Sequence, residues 1–228
     1  MSRTGNVVIC SAGVGARLGL DVPKCLAPVL REPLIHWQLD LLRDFENVIV
    51  VVGYRAADVM RAVRDKRPNV AFVLNHSYRT TSTLDSLIMG VAGLDEPFVY
   101  LDGDLLVNQE ALTLIQASSC PSIGIKRTYS DEPLCVEMGA GESVRMAVGF
   151  TRELREYEWT GLAKLHPEHV RAARGAQYVY HAIEPLLPVS AVEIECAEVD
   201  TLADLGRAEE WMREQFESSS FGRTAAGA

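Results

Sequence analysis

The sequence has no surplus of positive charge, no paired cysteines and no long apolar run, and each lack removes a class of function. Its 228 residues carry 22 Lys and Arg against 31 Asp and Glu, a formal net charge of −9. Nucleic-acid backbones are held by basic patches that neutralise phosphates, so no nucleic-acid partner is expected. A small anionic ligand stays possible, because a few local cations, backbone N–H groups or a divalent ion can hold one phosphate group against the overall field. The five cysteines, Cys10, Cys25, Cys120, Cys135 and Cys196, contain no C-x-x-C pair. That argues against a zinc site and for a reducing compartment. No apolar stretch reaches the roughly 20 residues of a membrane-spanning helix, and Met1–Asn6 is too short and polar to read as a signal sequence. A cytoplasmic protein without a membrane partner is the expectation; the oligomeric state is left open.

What is present is an ordinary globular composition, 48% hydrophobic and 23% charged. Asn6–Cys10, Val48–Val52, Val70–Leu74 and Phe98–Leu101 read as strands, and Leu34–Arg43, Ala56–Arg67 and Thr83–Leu94 as helices between them. Leu34–Arg43 shows an apolar stripe with one polar member, Gln38. Strand and helix alternate with short connections, which predicts an α/β fold with a doubly wound, mostly parallel, Rossmann-like sheet. Ligands bind such sheets beyond the carboxyl ends of the strands. After about residue 120, Ser122–Thr128, Pro133–Met138, Ser143–Thr151 and Trp159–Leu165 read as a β-rich insertion that extends the sheet or forms a lid. His166–Arg174 reads as a short helix, Val192–Val199 as one late strand, and Thr201–Glu217 as a final helix with Thr201 and Asp204 spaced as a capping box. One domain over 1–217 is expected, its halves 6–108 and 109–217, followed by a disordered tail over 218–228.

The first strand is followed by Ser11-Ala12-Gly13-Val14-Gly15-Ala16-Arg17-Leu18. Glycines there let backbone N–H groups approach an anion. The third glycine of a dinucleotide fingerprint is replaced by Leu18, and no Gly-Lys-Ser/Thr follows, so neither that fingerprint nor a Walker loop is present. Pro23-Lys24 and Leu26 come next. Further along, Asp102-Gly103-Asp104 closes the fourth strand, where two carboxylates can hold a hard divalent cation with phosphate oxygens, or simply form a turn.

Ser11–Val29 resembles the signature A-G-x-G-x-R-L…P-K-x-L of the nucleotidyltransferases that activate sugar phosphates and related small molecules, the MobA-like NTP transferase group. The resemblance implies a nucleotide-diphospho-sugar transferase type of fold. It also implies a triphosphate held by Ala12, Gly13, Val14 and Gly15, with Arg17 on the β- and γ-phosphates and Lys24 at the α-phosphate as catalytic cations. It makes Asp104 a metal ligand and Asp102 a ribose-facing or supporting group. Glu198-Val199-Asp200-Thr201 resembles the family's late segment, which makes Asp200 the second ligand of Mg²⁺; capping of the last helix is the other reading of Asp200. Asn75–Gly90 resembles the choline-phosphate and phosphonate cytidylyltransferase branch. Through it Ser82, Thr83 and Ser86 become nucleotide contacts, as do Gly53 and Tyr54, although Ser82 also suits a helix N-cap. Gly161 and Lys164 resemble a G-[IL]-x-K strand beside the acceptor. Lys126 follows another strand and could face an anionic acceptor, or be an exposed cation.

These implications converge on Mg²⁺-dependent transfer of CMP from CTP to a small phosphorylated or phosphonate acceptor, with release of pyrophosphate. A sugar-1-phosphate uridylyl- or guanylyltransferase, a metal-dependent glycosyltransferase and a non-catalytic nucleotide-binding module are the alternatives.

Overall fold

The computed structural model describes residues 3–139 and 145–224. The chain begins with β1 (Arg3–Ser11), a small hairpin of β2 (Pro28–Val29) and β3 (Glu32–Pro33), and α1 (Leu34–Leu41). Strand and helix then alternate through β4 (Phe45–Val52), α2 (Ala56–Lys66), β5 (Ala71–Leu74), α3 (Thr83–Gly90) and β6 (Phe98–Asp102). A short β7 (Leu105–Val107) leads into α4 (Gln109–Ala117), a helix the sequence pattern did not reveal. The second half contains β8 (Ser122–Arg127), β9 (Cys135–Met138), β10 (Met146–Thr151), β11 (Tyr157–Leu165), α5 (Pro167–Ala172), β12 (Val189–Glu193), β13 (Cys196–Glu198) and α6 (Leu202–Thr224).

Nine strands form one sheet in the order β5-β4-β1-β6-β11-β8-β12-β10-β9. The first four are parallel, as expected. Alternate residues of β1 serve opposite faces: Val8 and Cys10 pack with α3 and α5 residues such as Leu84, Leu87 and Val170. Val7 and Ile9 pack with Ile35, Val59 and Leu112 of α1, α2 and α4. Burial on both faces explains the continuous apolar run of β4.

The second half corrects the expectation of a mostly parallel sheet. β11 runs antiparallel to β6, β8 and β9, and β10 antiparallel to β12 and β9; among the described residues of this half only β8 and β12 are parallel. Because β11 also pairs with β9, the strands β11, β8, β12, β10 and β9 close into a five-stranded mixed ring. The bend that allows closure lies in β11, where the register with β8 shifts between Trp159 and Ala163. Gly161 sits in that bulge at φ +82°, a conformation glycine adopts without strain.

The late strand expected over Val192–Val199 is also two elements. β12 belongs to the ring, whereas β13 pairs with β7 in a separate two-stranded sheet. Thr201 and Asp204 form the expected capping box, with Thr201 N–H donating to Asp204 at 2.8 Å and Asp204 N–H to Thr201 Oγ1 at 3.2 Å. The last helix continues through residues 218–224, part of the segment expected as a tail. Residues 140–144, which include the start of the strand expected from Ser143, and 225–228 lie outside the described residues.

Candidate active site

β1 ends at Ser11, and the chain turns through Ala12–Gly15 into one 3₁₀ turn, Ala16–Leu18. Gly15 has φ +65°, and a Cβ built on it would lie 2.4 Å from Cγ of Lys24. The position therefore needs glycine both for its backbone angle and for the passage of the lysine stem. Gly13 differs: a Cβ there would meet nothing within 4 Å, so its bareness keeps a cavity open rather than relieving the chain. Gly53 lies against the loop, where a Cβ would come within 2.7 Å of the Ala12 carbonyl oxygen. Tyr54 N–H donates to that same oxygen at 3.0 Å, and the Tyr54 hydroxyl donates to Asp21 at 3.0 Å. Gly53 and Tyr54 brace the loop instead of lining its cavity, and Val14 is exposed at the tip.

The cavity has a volume of about 340 Å³. Its walls are Gly13, Gly15, Ala16 and Arg17 of the loop, Lys24 and Cys25 from the following turn, Cys10 and Ser11 of β1, Thr83, and Asp102-Gly103-Asp104. A smaller compartment of about 80 Å³ adjoins it through Cys10, Gly13 and Thr83, and is lined as well by Ala12, Tyr78, Thr81, Ser82 and Ser86. Ser82 also N-caps α3, taking a hydrogen bond from Asp85 N–H at 3.1 Å. The Ser86 hydroxyl receives a hydrogen bond from Asn75 Nδ2 at 2.9 Å, which leaves Thr83 as the residue of this group bordering both spaces.

Three distant chain segments meet at the floor of the larger cavity. The turn after β6 is fixed from behind by Gln38, the one polar member of the α1 stripe. Its Nε2 donates to the carbonyls of Asp102 and Leu105, both at 2.8 Å. Pairing of β7 with β13 places Glu198 opposite Leu105, and Val199 N–H donates to the Asp104 carbonyl at 2.9 Å. That pairing carries Glu198 and Asp200 to Asp104, and carboxylate oxygens of all three lie within 4.8 Å of one another. The Lys24 ammonium donates to Asp104 Oδ2 at 2.8 Å and to Asp200 Oδ1. Arg17 pairs with Asp200 Oδ2 at 2.9 Å from a side chain that is 65% exposed.

Crowded carboxylates in a half-buried place resist ionisation. Burial, and then the Asp104 charge, push the Asp102 carboxyl well above its ordinary range, against a hydrogen bond donated by the Tyr100 hydroxyl. Burial and Asp104 raise Glu198 in the same way.

Comparisons with known proteins give the family and the fold. Residues 7–149 match the MobA-like NTP transferase domain. The chain belongs to the MobA-like NTP transferase domain family. Among its relatives, the bifunctional protein GlmU of Burkholderia lata is 29% identical over 155 residues, 66% of this chain and 33% of GlmU. The chain thus spans about a third of the length of the curated relatives it matches. The fold is that of nucleotide-diphospho-sugar transferases. UDP-glucose pyrophosphorylase from Acinetobacter baumannii superposes with a TM-score of 0.75 at 13% identity, covering 90% of this chain and 92% of that one. CTP:phosphocholine cytidylyltransferase (LicC) from Streptococcus pneumoniae superposes at 0.71 with 19% identity, covering 92% and 99%.

In this MobA-like domain the acidic cluster suits a hard divalent cation. Its donors are all carboxylate oxygens, and a cation, the Lys24 ammonium, already sits against two of them. Glu198 belongs to the late motif, yet sequence reasoning does not single it out as a possible ligand. The signal is its position, since Glu198 closes the short strand that pairs with β7 and stands two residues before Asp200.

The acceptor-side residues are placed differently from expectation. Lys126 is buried, 5% exposed, and outside the cavity lining. Its ammonium donates to the Tyr129 hydroxyl at 3.0 Å and lies 3.3 Å from Glu158. Burial opposes its charge, but the acidic groups of Cys196, Tyr129 and Glu158 outweigh that and raise its pKa. Lys164 is also engaged: it donates to the carbonyls of Gln116 and Ser118, both at 2.7 Å, and so closes the C-terminal end of α4. Gly161 abuts the site without lining it; a Cβ there would lie 2.4 Å from Asp102 Oδ2. Cations used for packing and cations used for binding look alike in a sequence, and both lysines carry partners within the protein.

Among the described residues, no helix is long and apolar enough to cross a membrane.

Proposed function

We propose that the protein is a nucleotidyltransferase that moves CMP from CTP to a small phosphorylated or phosphonate acceptor and releases pyrophosphate. One observation carries the reading: the Lys24 ammonium, threaded past Gly15, lies between Asp104 and Asp200 at the floor of a cavity walled by the glycine loop. A glycine cradle, two cations and a carboxylate cluster in one cavity are the parts needed to bring two polyanions together.

In this reading the loop amides from Gly13 to Arg17 face the phosphates. Lys24 sets a compact positive charge at the α-phosphate, and Arg17 at the rim offers a planar fork to the β- and γ-phosphates. The base lies toward Thr83 and the smaller compartment. An acceptor phosphate oxygen, already ionised near neutral pH, attacks the α-phosphorus. The bond from that phosphorus to the oxygen bridging to the β-phosphate breaks, and its electron pair leaves with pyrophosphate. The nucleophile has no proton to surrender, which suits a cavity lined, among the described residues, by no histidine. Asp104 and Asp200, with Glu198 beside them, would hold Mg²⁺, whose chemistry is to neutralise phosphate oxygens as a Lewis acid.

CTP is favoured by the resemblance of Asn75–Gly90 and of the late Glu-x-Asp segment to the small cytidylyltransferases. A second reading, UTP with a hexose 1-phosphate, draws on the equally close fold of the UDP-glucose pyrophosphorylase. A pyrophosphate-release screen of four nucleoside triphosphates against phosphorylated alcohols, phosphonates and hexose 1-phosphates tests the choice. Release with CTP and a small phosphorylated or phosphonate acceptor is expected. Release only with UTP and a hexose 1-phosphate replaces the first reading by the second.

A further inference from the structure

We propose that Lys24 is the protein's own counter-ion for its carboxylate site, so that the site accepts a divalent metal well only after a nucleotide has drawn Lys24 away. The inference rests on the nucleotidyl-transfer reading and adds an order of events to it.

The Lys24 ammonium contacts Asp104 Oδ2 at 2.8 Å and also bonds Asp200 Oδ1. Those two side chains belong to the three whose oxygens converge within 4.8 Å. A metal ion coordinated by the same oxygens would face the ammonium at close range, and like charges at a few ångströms in a part-buried place repel strongly. The ammonium and the metal therefore compete for one site. Lys24 is held there firmly, with a side chain only 18% exposed and its stem pressed against Gly15. Arg17 is a poor substitute, because it reaches Asp200 from an exposed position where solvent screens the pair.

Lys24 nevertheless has somewhere to go. It lines the same 340 Å³ cavity as Gly13, Gly15 and Arg17, and its flexible four-carbon stem can swing the charge toward that side. A triphosphate in the glycine loop offers more negative charge there than the two aspartates offer below. Binding of nucleotide would move the ammonium to the phosphates and free the aspartate oxygens in the same motion. The lysine is thus counter-ion in one state and phosphate ligand in the other, and the protein avoids collecting free metal between turnovers.

The test is direct binding of Mn²⁺, followed by the electron paramagnetic resonance signal of the free ion, with no nucleotide present. Wild-type protein is expected to bind weakly. Lys24→Met keeps the stem but removes the charge, and should bind at least roughly tenfold more tightly; Lys24→Met/Asp104→Asn should lose that gain. Equal affinity of wild type and Lys24→Met overturns the proposal. Should Lys24→Met fail to fold, wild type decides alone: micromolar Mn²⁺ binding without nucleotide overturns it, and weak binding supports it. Pyrophosphate release by wild type is measured separately. Equal Mn²⁺ affinities in a protein that releases pyrophosphate refute the counter-ion role alone, and a tenfold gain in a protein that releases none refutes the nucleotidyl-transfer reading alone.

Discussion

Three glycines near the start of the chain separate three reasons for having no side chain. Gly19 has φ +71°, and a Cβ there would meet nothing within 4 Å. Alanine at that position should cost about 1–2 kcal/mol of stability, the price of a left-handed backbone for an L-residue, and leave turnover in the folded protein intact. Gly15 has nearly the same backbone angle but a Cβ would stand 2.4 Å from Lys24 Cγ, which must retreat to at least 3.0 Å. Gly15→Ala should therefore cost a similar amount in stability or somewhat more, and in addition shift the ammonium. A displacement approaching an ångström at a reacting centre can cost on the order of 100-fold in rate, so kcat/KM should fall by about that factor. Gly13 has neither constraint, and Gly13→Ala should change stability by less than about 0.5 kcal/mol. Its methyl group would project into the open space that the proposed function assigns to phosphate, and should raise the KM for nucleotide. Urea denaturation reads the stabilities, and pyrophosphate release reads the rates. A Gly15→Ala variant with wild-type kcat/KM, or a Gly19→Ala variant as damaged as Gly15→Ala, would refute the argument that Gly15 exists to let Lys24 pass.

Lys126→Met should destabilise by about 3–5 kcal/mol, because it removes one partner of a buried pair and leaves Glu158, only 1% exposed, without the ammonium 3.3 Å away; urea denaturation showing no loss would contradict the pairing. Lys164→Met should cost about 1–2 kcal/mol through the two carbonyls left bare at the end of α4, while KM for every acceptor stays unchanged, unlike the outcome for an acceptor-binding lysine. Asp102 supplies a pH test. Its folded-state pKa is raised, so the stability it contributes is complete below its unfolded value of about 3.9 and is lost as pH rises through the folded value. Asn at position 102 has no carboxyl proton to lose, so the stability of Asp102→Asn relative to wild type should increase as pH rises above about 4, measured by urea midpoints; a constant difference would contradict the raised pKa.

The parts of the site written in one short stretch are legible in the sequence. Arg17 and Lys24 stand in register with the glycine loop, and Asp104 follows an apolar strand, so local spacing locates them. The parallel half is equally legible, since strands buried on both faces make continuous apolar runs such as Val48–Val52. What fails to show depends on pairing between distant segments. Closure of the ring through β11 and β9 is marked locally only by Gly161 in the β11 bulge, which does not say which strands pair, and the break between β12 and β13 is hidden in a run that reads as one strand. Gln38 is visible as a polar residue in an apolar stripe, but that it holds the Asp102 and Leu105 carbonyls becomes clear only once the fold brings α1 beneath that turn. The partners of Lys126 and Lys164 cannot be read from the sequence, because a long cationic side chain reaches several groups from one backbone position, and only the structure selects among them.

Lys24 and Asp104, 80 residues apart and joined by a 2.8 Å ion pair, are held to belong to one nucleotidyl-transfer site, and on that the whole account turns. The most direct measurement is pyrophosphate release from CTP, with the best acceptor of the screen, by wild type, Lys24→Ala and Asp104→Ala, each first shown by its thermal unfolding to be folded. Release by wild type and its loss in both folded variants is the predicted result; near-normal release by either variant would contradict it.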